Sequence, residues 1–286
     1  MAEDSRRGAG GPLTVVITGA AGLIGGAVAR LLDPEMTVWA VGRGPRSPGG
    51  GARWIDADLS TRDFAAALPP RADLVLHFAQ SNHYQAFPGQ ALDVFHVNVG
   101  STAVLLDWAR QAGVRRFVYA SSGDLGADPS SYYLATKRSS ELLASHYRPH
   151  FAVTLLRFYF VYGAGQRRTM LIPRLVDQIR AGRPVMLAGQ DGLRLNPVHV
   201  SDAATAAVAA ARADLNLTID VAGPEVLSLR SIATIIGEQL GVAPRFTQQP
   251  GPEPELIGDI TAMTRHLGAP QRRFASAVRD VIEQPS

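Results

Sequence analysis

The chain has 286 residues, a formal net charge of +3 and no cysteine. This length is enough for one large α/β unit, or for a nucleotide-binding domain with a smaller partner. No apolar run approaches the roughly 18 residues that a membrane span requires, and the arginines are scattered rather than collected in one stretch. Composition therefore excludes a disulfide scaffold and argues against membrane and nucleic-acid binding. The start of the chain lacks an apolar signal segment, which predicts the cytoplasm.

The basic residues are distributed unevenly between the two types. Of the 28, 27 are arginines and one is a lysine, Lys137. Arginine is always charged, whereas the pKa of a lysine ammonium moves readily with its surroundings. A chain that uses arginine elsewhere is expected to keep lysine where a guanidinium would not serve.

Short β-branched runs alternate with longer helical stretches from Leu13 onwards, which is typical of βαβ units and a parallel sheet. The preceding segment, 1–11, is polar and glycine-rich and is predicted to be a disordered tail. The predicted strands are 13–17, 37–41, 53–55, 74–78, 117–120 and 153–158, and the predicted helices are 23–32, 91–112 and 131–147. The pattern indicates an α/β fold with a Rossmann-type doubly wound parallel sheet.

The regularity of the pattern weakens after Gly163, where elements become shorter and prolines more frequent. A first domain is therefore predicted over 12–163, for which the turn described next indicates NAD(P) binding, and a smaller C-terminal substrate lobe is predicted over 164–195 and 223–286. Segment 196–222 combines a turn, an alanine-rich helix and a short β-branched run. It is predicted to return to the sheet.

A glycine-rich turn follows the first predicted strand. The run from Thr18 to Gly25 reads T-G-A-A-G-L-I-G and then opens a helix. Glycines at this place permit a tight turn and the close approach of a pyrophosphate to the helix N-terminus. The predicted cofactor contacts are Gly19, Gly22, Leu23, Ile24 and Gly25. The alternative is a turn that only packs the helix on the strand.

The end of the second predicted strand lacks the acidic residue that would accept ribose hydroxyls in an NAD site. It carries Gly42 and Arg43 instead. Because Arg43 could pair with a 2′-phosphate by charge-assisted hydrogen bonds, NADP is favoured over NAD. Asp58 and Leu59, after the third strand, are candidates for an adenine contact. For Asp58 a turn or helix cap is an equal alternative.

Three residues form the predicted proton-transfer group: Ser122 at the end of a strand, and Tyr133 and Lys137 on the following helix. Residues four apart share a helix face, so the phenol and the ammonium can address one site. A free tyrosine has a pKa near 10 and is a poor base, but a neighbouring ammonium and a positive nicotinamide ring would lower that value. Tyr133 would then exchange a proton with a substrate oxygen that Ser122 holds.

These motifs in this order resemble those of the extended short-chain dehydrogenases/reductases, the NAD-dependent epimerase/dehydratase family, from Leu13 to about Leu267. The resemblance implies a catalytic Ser122, Tyr133 and Lys137, with Ser121 as the alternative serine, and leaves Asn98 with either a catalytic or a structural role. It also implies cofactor contacts, which are Phe78, Ala79, Gln80, Phe158 and Tyr159. The stretches that carry it are 18–25, 73–80, 98–102, 113–122, 133–137, 157–163 and 198–202.

The substrate side departs from that family's pattern. Members that act on nucleotide sugars usually carry an asparagine after strand six and two arginines that grip the diphosphate. Here these positions hold Phe160, Leu195 and the stretch 254–256, although Arg194 is adjacent. An acidic pair that dehydratases carry after the catalytic hydroxyl is reduced to Asp124. Candidate substrate residues are Asp124, Tyr159, Phe160 and Arg194, with Arg167 and Arg168 as substitute grips.

The sequence thus ranks first an NADP-preferring ketoreductase or alcohol dehydrogenase that acts at a carbinol or ketone carbon of a sugar-like or oxygenated small molecule. A nucleotide-sugar 4-epimerase or dehydratase with tightly bound NAD is the alternative. A sensor that binds NADP(H) without turnover is a third reading. No metal site is expected, and helices that begin near Ala91 and Ser131 could pair in a homodimer.

Overall fold

The computed structural model describes residues 11–44, 51–123, 125 and 130–284. Seven parallel strands form its central sheet in the order β3-β2-β1-β4-β5-β6-β9. The order reverses between β1 and β4, which is the place where open α/β sheets bind ligands, outside the carboxyl ends of the strands. The strands of this sheet are β1 (Thr14–Thr18), β2 (Thr37–Gly42), β3 (Arg53–Asp56), β4 (Leu74–His77), β5 (Arg116–Ser122), β6 (Ala152–Phe158) and β9 (Thr218–Val221).

Helices cover both faces of the sheet, as a parallel sheet requires. Helices α1 and α6 pack on one face, and α3 and α4 pack on the other. Alternate residues of β1 divide between the two cores, since Val15 and Ile17 face the first and Val16 faces the second. The helices around the sheet are α1 (Leu23–Leu31), α2 (Ala91–Phe95), α3 (Ser101–Gln111), α4 (Tyr132–Ser145) and α6 (Val200–Arg212), with a short 3-10 helix at Asp63–Ala67.

A smaller set of elements forms a third core beside the carboxyl ends of the strands. It contains a two-stranded sheet of β7 and β11 and a three-stranded sheet in the order β10-β8-β12. The elements are α5 (Leu171–Arg180), β7 (Val185–Ala188), β8 (Arg194–Leu195), β10 (Leu227–Ser228), α7 (Leu229–Leu240), β11 (Phe246–Gln249), β12 (Glu255–Leu256), α9 (Phe274–Ala277) and α10 (Arg279–Ile282). Helix α8 (Thr261–His266) packs instead on the first core, against α6 and β9. Within the described ranges no helix is long and apolar enough to cross a membrane.

The predicted strands and helices correspond to structural elements with shifts of one or two residues at their ends, except in one place. The single helix predicted over 91–112 consists of α2, a π-helical turn at His96–Gly100, and α3. Side-chain hydroxyls of Thr102 and Ser140 donate to the Asn98 carbonyl oxygen, at 2.6 and 2.9 Å. Such π-helical turns are frequent at functional sites, and helical periodicity does not reveal them.

The strand within 196–222 does join the sheet: β9 pairs in parallel with β6 and forms its edge. Helix α6 packs against α1 on the same face as the first core. The division of the chain into a 12–163 domain and a substrate lobe at 164–195 and 223–286 stays a prediction.

Candidate active site

The glycine turn brings the chain into close backbone contact with β4. Gly19 has φ +71°, and a Cβ there would lie 2.7 Å from the Ala79 nitrogen and from the Phe78 carbonyl carbon. A Cβ on Gly25 would lie 2.3 Å from the Gly19 carbonyl oxygen. Any side chain at these positions would push the turn, the strand and the helix apart. The glycines therefore hold β1, β4 and α1 together at the sheet's switch point.

Helix α1 begins at Leu23 with Gly22 as its N-cap, and no side chain caps its first turn. Backbone N–H groups at such a start bind anions and favour a phosphate. The first-turn side chains of Leu23 and Ile24 are half-buried, and the turn stays open toward solvent at Ala21 and Gly22. The predicted phosphate contacts thus form a cradle that fits the pyrophosphate of a dinucleotide.

At the far end of this cradle, Arg43 is exposed and lies near Asp58. A hydrogen bond from the Ser60 backbone N–H to Asp58, 2.9 Å long, is the main cause that lowers the Asp58 pKa, and the Arg43 charge lowers it further. Leu59 is 6% exposed and belongs to the second core. Asp58 therefore caps a turn in this structure, which is the alternative given for it above.

The two helix residues of the proton-transfer group lie over the end of β5. Lys137 Nζ donates to the Ala120 carbonyl oxygen at 2.8 Å and lies 5.9 Å from the centre of the Tyr133 ring. Tyr133 Oη donates to Gln80 Oε1 at 3.1 Å and also hydrogen-bonds with the Ser122 side chain. The structure thus brings Ser122, Tyr133, Lys137 and the predicted cofactor contact Gln80 together.

The neighbouring serine is placed differently. Ser121 is 5% exposed, and its buried hydroxyl has no hydrogen-bond partner among the described residues. Ser122 is half-buried and faces Tyr133. The geometry favours Ser122 over Ser121 as the serine of the group.

Lys137 is the most deeply buried cation of the site, with 2% exposure. Besides the Ala120 oxygen, its ammonium lies 5.1 Å from the centre of the Tyr119 ring. Burial lowers the pKa of Lys137 to about 7, and the negative charge of Glu141, one helical turn later, opposes the shift. Glu141 in turn pairs with Arg157 through two hydrogen bonds of 2.9 and 2.7 Å. A lysine held in this way can change protonation near neutral pH.

Burial shifts the Tyr133 phenol in the opposite direction. It raises the pKa of Tyr133 above its usual value, while the hydrogen bond with Ser122 lowers it. The Tyr84 ring, 5.0 Å away between centres, covers one side of the phenol. In this environment Tyr133 keeps its proton at neutral pH, so it acts as a base only where additional positive charge stabilises the phenolate.

Asn98, in the π-helical turn, connects three parts of the site. Its Oδ1 accepts from the Ser81 backbone N–H, and its Nδ2 donates to Thr136 Oγ1, both at 2.9 Å. Asn98 is 1% exposed, and both its amide oxygen and its amide nitrogen are hydrogen-bonded. Its position therefore supports a structural role: it links the segment after β4 to helix α4 between Tyr133 and Lys137.

Sequence reasoning missed His77, which is 1% exposed at the end of β4. Its Nδ1 lies 2.6 Å from Thr18 Oγ1, and its Nε2 lies 3.0 Å from Thr102 Oγ1. The Thr102 hydroxyl donates to the Asn98 oxygen, so it must accept from His77 Nε2–H, which leaves Nδ1 to accept from Thr18. Burial lowers the pKa of His77 to about 3, so the ring is neutral. A buried histidine after an apolar strand was the available signal.

The predicted substrate residue Arg194 lies on β8 and pairs with Glu255 of β12. Leu195, at the position where relatives of the predicted family place an arginine, has no exposure and belongs to the third core. Arg168 pairs with Asp177 of α5. Of the three arginines considered for the substrate, Arg168 and Arg194 are therefore already paired with carboxylates.

Arg167 differs from those two arginines. Its guanidinium donates to the neutral amide oxygen of Asn82, and no carboxylate in the described part of the chain lies within ion-pair distance of it. Its charge acts on Tyr84, where it opposes the rise in the Tyr84 pKa that burial causes. Arg167 is therefore a cation close to Tyr84, whose ring contacts Tyr133.

Two aromatic residues follow β6. Tyr159 is 8% exposed, its N–H donates to the Val221 carbonyl oxygen at 3.0 Å, and its side chain hydrogen-bonds with Asp220. A Cβ on Gly123 would lie 2.5 Å from Tyr159 Cε1. Phe160 is the described non-glycine residue with positive φ, at 42°, a costly conformation for a bulky residue. Tyr159 thus packs against the turn after Ser122, and Phe160 redirects the chain out of the sheet.

The remaining predicted site residues are two phenylalanines and Asp124. Phe78 and Phe158, both predicted to touch the cofactor, lie side by side with ring centres 6.5 Å apart. Asp124, a candidate substrate residue, lies outside the described residues. In the described ranges no group of three or more histidines and carboxylates could hold a metal ion.

Known proteins show the same combination of fold and motifs. The family model described as the NAD dependent epimerase/dehydratase family matches residues 15–221. The dTDP-glucose 4,6-dehydratase of Streptomyces antibioticus is 29% identical over 223 residues, which are 66% of this chain and 66% of that enzyme. The dTDP-4-dehydro-6-deoxy-D-allose reductase of Streptomyces bikiniensis is 26% identical and covers 88% of this chain and 89% of that enzyme.

Among solved structures, MoeE5 in complex with UDP-glucose and NAD is 28% identical, with a TM-score of 0.78 over 94% of this chain and 97% of that chain. Other curated dehydratases are matched over about half of their length, 47% in one case. The family match, the Streptomyces antibioticus dehydratase and MoeE5 favour the epimerase or dehydratase interpretation over the ketoreductase that the sequence ranks first, and the cofactor bound in MoeE5 is NAD. With its family model matched over 15–221 and its sheet of the Rossmann type, the chain belongs to the NAD-dependent epimerase/dehydratase family, of the extended short-chain dehydrogenase/reductase type.

Proposed function

We propose that this chain catalyses reversible oxidation at one carbinol carbon of a nucleotide-linked sugar, as a 4-epimerase that retains its nicotinamide dinucleotide. The observation that carries the proposal is the position of Tyr133, between Ser122, Gln80 and the buried Lys137, at the carboxyl edge of β5. The family and the sugar-nucleotide relatives support the substrate class. The glycine turn at 19–25 would hold a bound NAD, which would supply reversible hydride transfer at the carbinol carbon.

The chain's own residues handle the proton in this proposal. The Ser122 hydroxyl holds the substrate oxygen beside Tyr133, and the phenol oxygen of Tyr133 takes the proton of the substrate hydroxyl. The Lys137 ammonium, 5.9 Å from the ring centre, stabilises the resulting phenolate. The Tyr84 ring, 5.0 Å away between centres, shields one side of the phenol.

Dehydration is disfavoured by the space after Ser122. Dehydratases of the family carry an acidic pair at this place, and the first member of that pair corresponds to Gly123. A side chain there would collide with the Tyr159 ring, since a Cβ would lie 2.5 Å from it. With one acid excluded by packing, elimination of water lacks half of its proton-transfer machinery.

A ketoreductase is the second candidate, and one set of observations favours it. One position of the two diphosphate-binding arginines holds Leu195, which is buried in the third core, and the other falls in the stretch 254–256, which contains no arginine. In that stretch the Pro254 carbonyl oxygen accepts from the Arg194 N–H at 2.9 Å. The Streptomyces bikiniensis reductase also covers most of the chain. Preference for NADP through Arg43 belongs with this candidate and stays a prediction.

Measurements of net NAD(P)H consumption and of solvent-deuterium uptake distinguish the 4-epimerase from the ketoreductase. With UDP- and dTDP-hexoses as probes, an epimerase converts one epimer to the other with no net change in NADH absorbance and no uptake of solvent deuterium at the reacting carbon.

Tyr133→Phe should lower kcat by roughly 10²- to 10⁴-fold. Cofactor affinity, measured by calorimetry, should change little. Stoichiometric consumption of NADPH would reject the epimerase, and full turnover by Tyr133→Phe would reject the mechanism.

The buried lysine predicts a pH dependence of stability. In the cofactor-free protein burial lowers the pKa of Lys137 from 10.5 to about 7. Between these values the unfolded chain carries a proton that the folded chain lacks, so wild-type stability rises with pH relative to Lys137→Met. From pH 7.5 to 9 the difference in unfolding free energy should move by about 2 kcal/mol in favour of wild type. Urea denaturation measures it, with Arg138→Met as control; a pH-independent difference would contradict the assignment.

Arg167 is proposed to hold an anionic group of the substrate, because Arg168 and Arg194 are engaged with carboxylates. Arg167→Met should raise KM for a sugar diphosphate by about tenfold or more, with kcat changed little. Arg168→Met, whose guanidinium pairs with Asp177, is the matched control and should leave KM within a few fold of wild type. Equal effects of both substitutions would show that Arg167 has no special role.

A homodimer through α2 and α4 is proposed from their exposed apolar residues. Leu92 is 71% exposed on α2, and Leu142 is 54% exposed on α4, which contacts α2. Burying such side chains on a second copy would stabilise the pair of helices. Leu142→Arg should convert a dimer to a monomer in light scattering, whereas Met186→Arg, in the substrate lobe, should not. A monomeric wild type would refute the proposal.

A further inference from the structure

At the end of β2, a neighbouring side chain leaves no room for any residue other than glycine, although the backbone conformation there does not itself require glycine. Gly42 is the last residue of β2, and its φ is not positive. A Cβ at this position would lie 2.8 Å from Cη2 and 3.3 Å from Cζ2 of Trp54, on the neighbouring strand β3. The indole therefore occupies the volume into which any side chain of residue 42 would extend.

The indole is fixed in that place. Trp54 Nε1 donates to the Gly44 carbonyl oxygen at 2.8 Å, and the Gly44 N–H donates to Asp56 Oδ1 at 2.7 Å. The Ala57 N–H donates to the Gly42 carbonyl oxygen at 2.8 Å. The ring also packs against the first core, on the face of the sheet that α1 covers. A substitution at position 42 cannot displace the ring without breaking the bond to Gly44 and the packing.

Position 42 is also the place where selectivity between the two dinucleotides is ordinarily decided. It lies 20 residues after Gly22, and a carboxylate at the end of the second strand accepts the ribose hydroxyls of NAD and repels the phosphate of NADP. Two nearby carboxylates cannot take over this task freely. Asp56 accepts from Gly44, and Asp58 accepts from the Ser60 N–H while it faces the charge of Arg43.

We propose that Trp54 sets the dinucleotide selectivity of this chain by occupying the volume that a ribose-binding carboxylate on β2 would need. The inference rests on the cofactor site of the proposed function and adds a residue of β3 to it. The indole offers the adenosine ribose an apolar wall in place of a carboxylate. The cationic neighbour Arg43 is then the group that a 2′-phosphate would meet. Selectivity between NAD and NADP thus depends on residues 42 and 54 together. A carboxylate on β2 could bind the ribose only if Trp54 were replaced by a smaller side chain.

A double-mutant cycle tests this with dissociation constants for NAD and NADP, measured by calorimetry on the full-length protein. Gly42→Asp alone should weaken the binding of both dinucleotides by about tenfold or more, because the carboxylate and the indole compete for one volume. Trp54→Phe removes the outer ring atoms Cη2 and Cζ2. In that background Gly42→Asp should leave NAD binding within about threefold of its parent and weaken NADP by about tenfold or more, through repulsion between carboxylate and phosphate.

Two comparisons keep the outcome decisive. Trp39→Phe, on β2 with its ring packed toward the second core, removes an indole from the other face and should not rescue Gly42→Asp. Trp54→Val provides a second, smaller side chain at this position if Trp54→Phe lowers the melting temperature strongly. If Gly42→Asp binds NAD as tightly as wild type with Trp54 in place, or if its effect is the same in both backgrounds, the proposal is overturned. A wild type that binds neither dinucleotide would instead refute the proposed function.

Discussion

The burial of the Lys137 ammonium is the constraint on which the site depends. A cation with 2% exposure is costly unless oxygen atoms and aromatic faces replace water around it. Here the Ala120 oxygen, the Tyr119 and Tyr133 rings and the charge of Glu141 do so. Each partner belongs to β5 or α4, so satisfying the ammonium also fixes how α4 lies on the sheet. The same docking places Tyr133 beside Ser122, so the contacts that stabilise the ammonium also position the proposed proton-transfer pair.

A neutral hydrogen-bond chain transmits this arrangement to the cofactor side. It runs from the Ala79 N–H through Thr18 to His77, and from His77 through Thr102 to the Asn98 oxygen. Each hydroxyl in it both donates and accepts, so the directions of all bonds follow from the Thr102 donation to Asn98. Protonation of His77 would break the chain at Thr18, and its pKa of about 3 prevents this. The glycine turn and the π-helical turn are thereby coupled without any charged group.

The sequence predicted the central sheet and the proximity of Ser122, Tyr133 and Lys137 because their signals are local. Alternating β-branched runs, three glycines at fixed spacing, and a phenol four residues before the sole lysine each determine structure within one element. It did not predict the π-helical turn at His96–Gly100 or the role of His77, because both depend on hydrogen bonds between residues far apart in the chain. For the same reason the sequence could not tell which candidate arginines are paired with carboxylates. Arg194, chosen by adjacency to Leu195, pairs with Glu255, sixty-one residues away, whereas Arg167 does not pair with a carboxylate among the described residues.

The departures from the family pattern lie at both ends of the site and leave its centre intact. At the adenosine end, an indole from β3 occupies the place of a carboxylate on β2. At the substrate end, Leu195 lies in a core where relatives use a guanidinium, and a ring excludes side chains at Gly123. Between them, Tyr133, Lys137 and Ser122 lie together in the arrangement that we propose for proton transfer. This distribution is expected if the proposed reaction at the carbinol carbon is preserved while the groups that recognise the dinucleotide and the substrate change. The central residues are constrained by the burial of the Lys137 ammonium, whereas the residues at the two ends are constrained only by packing.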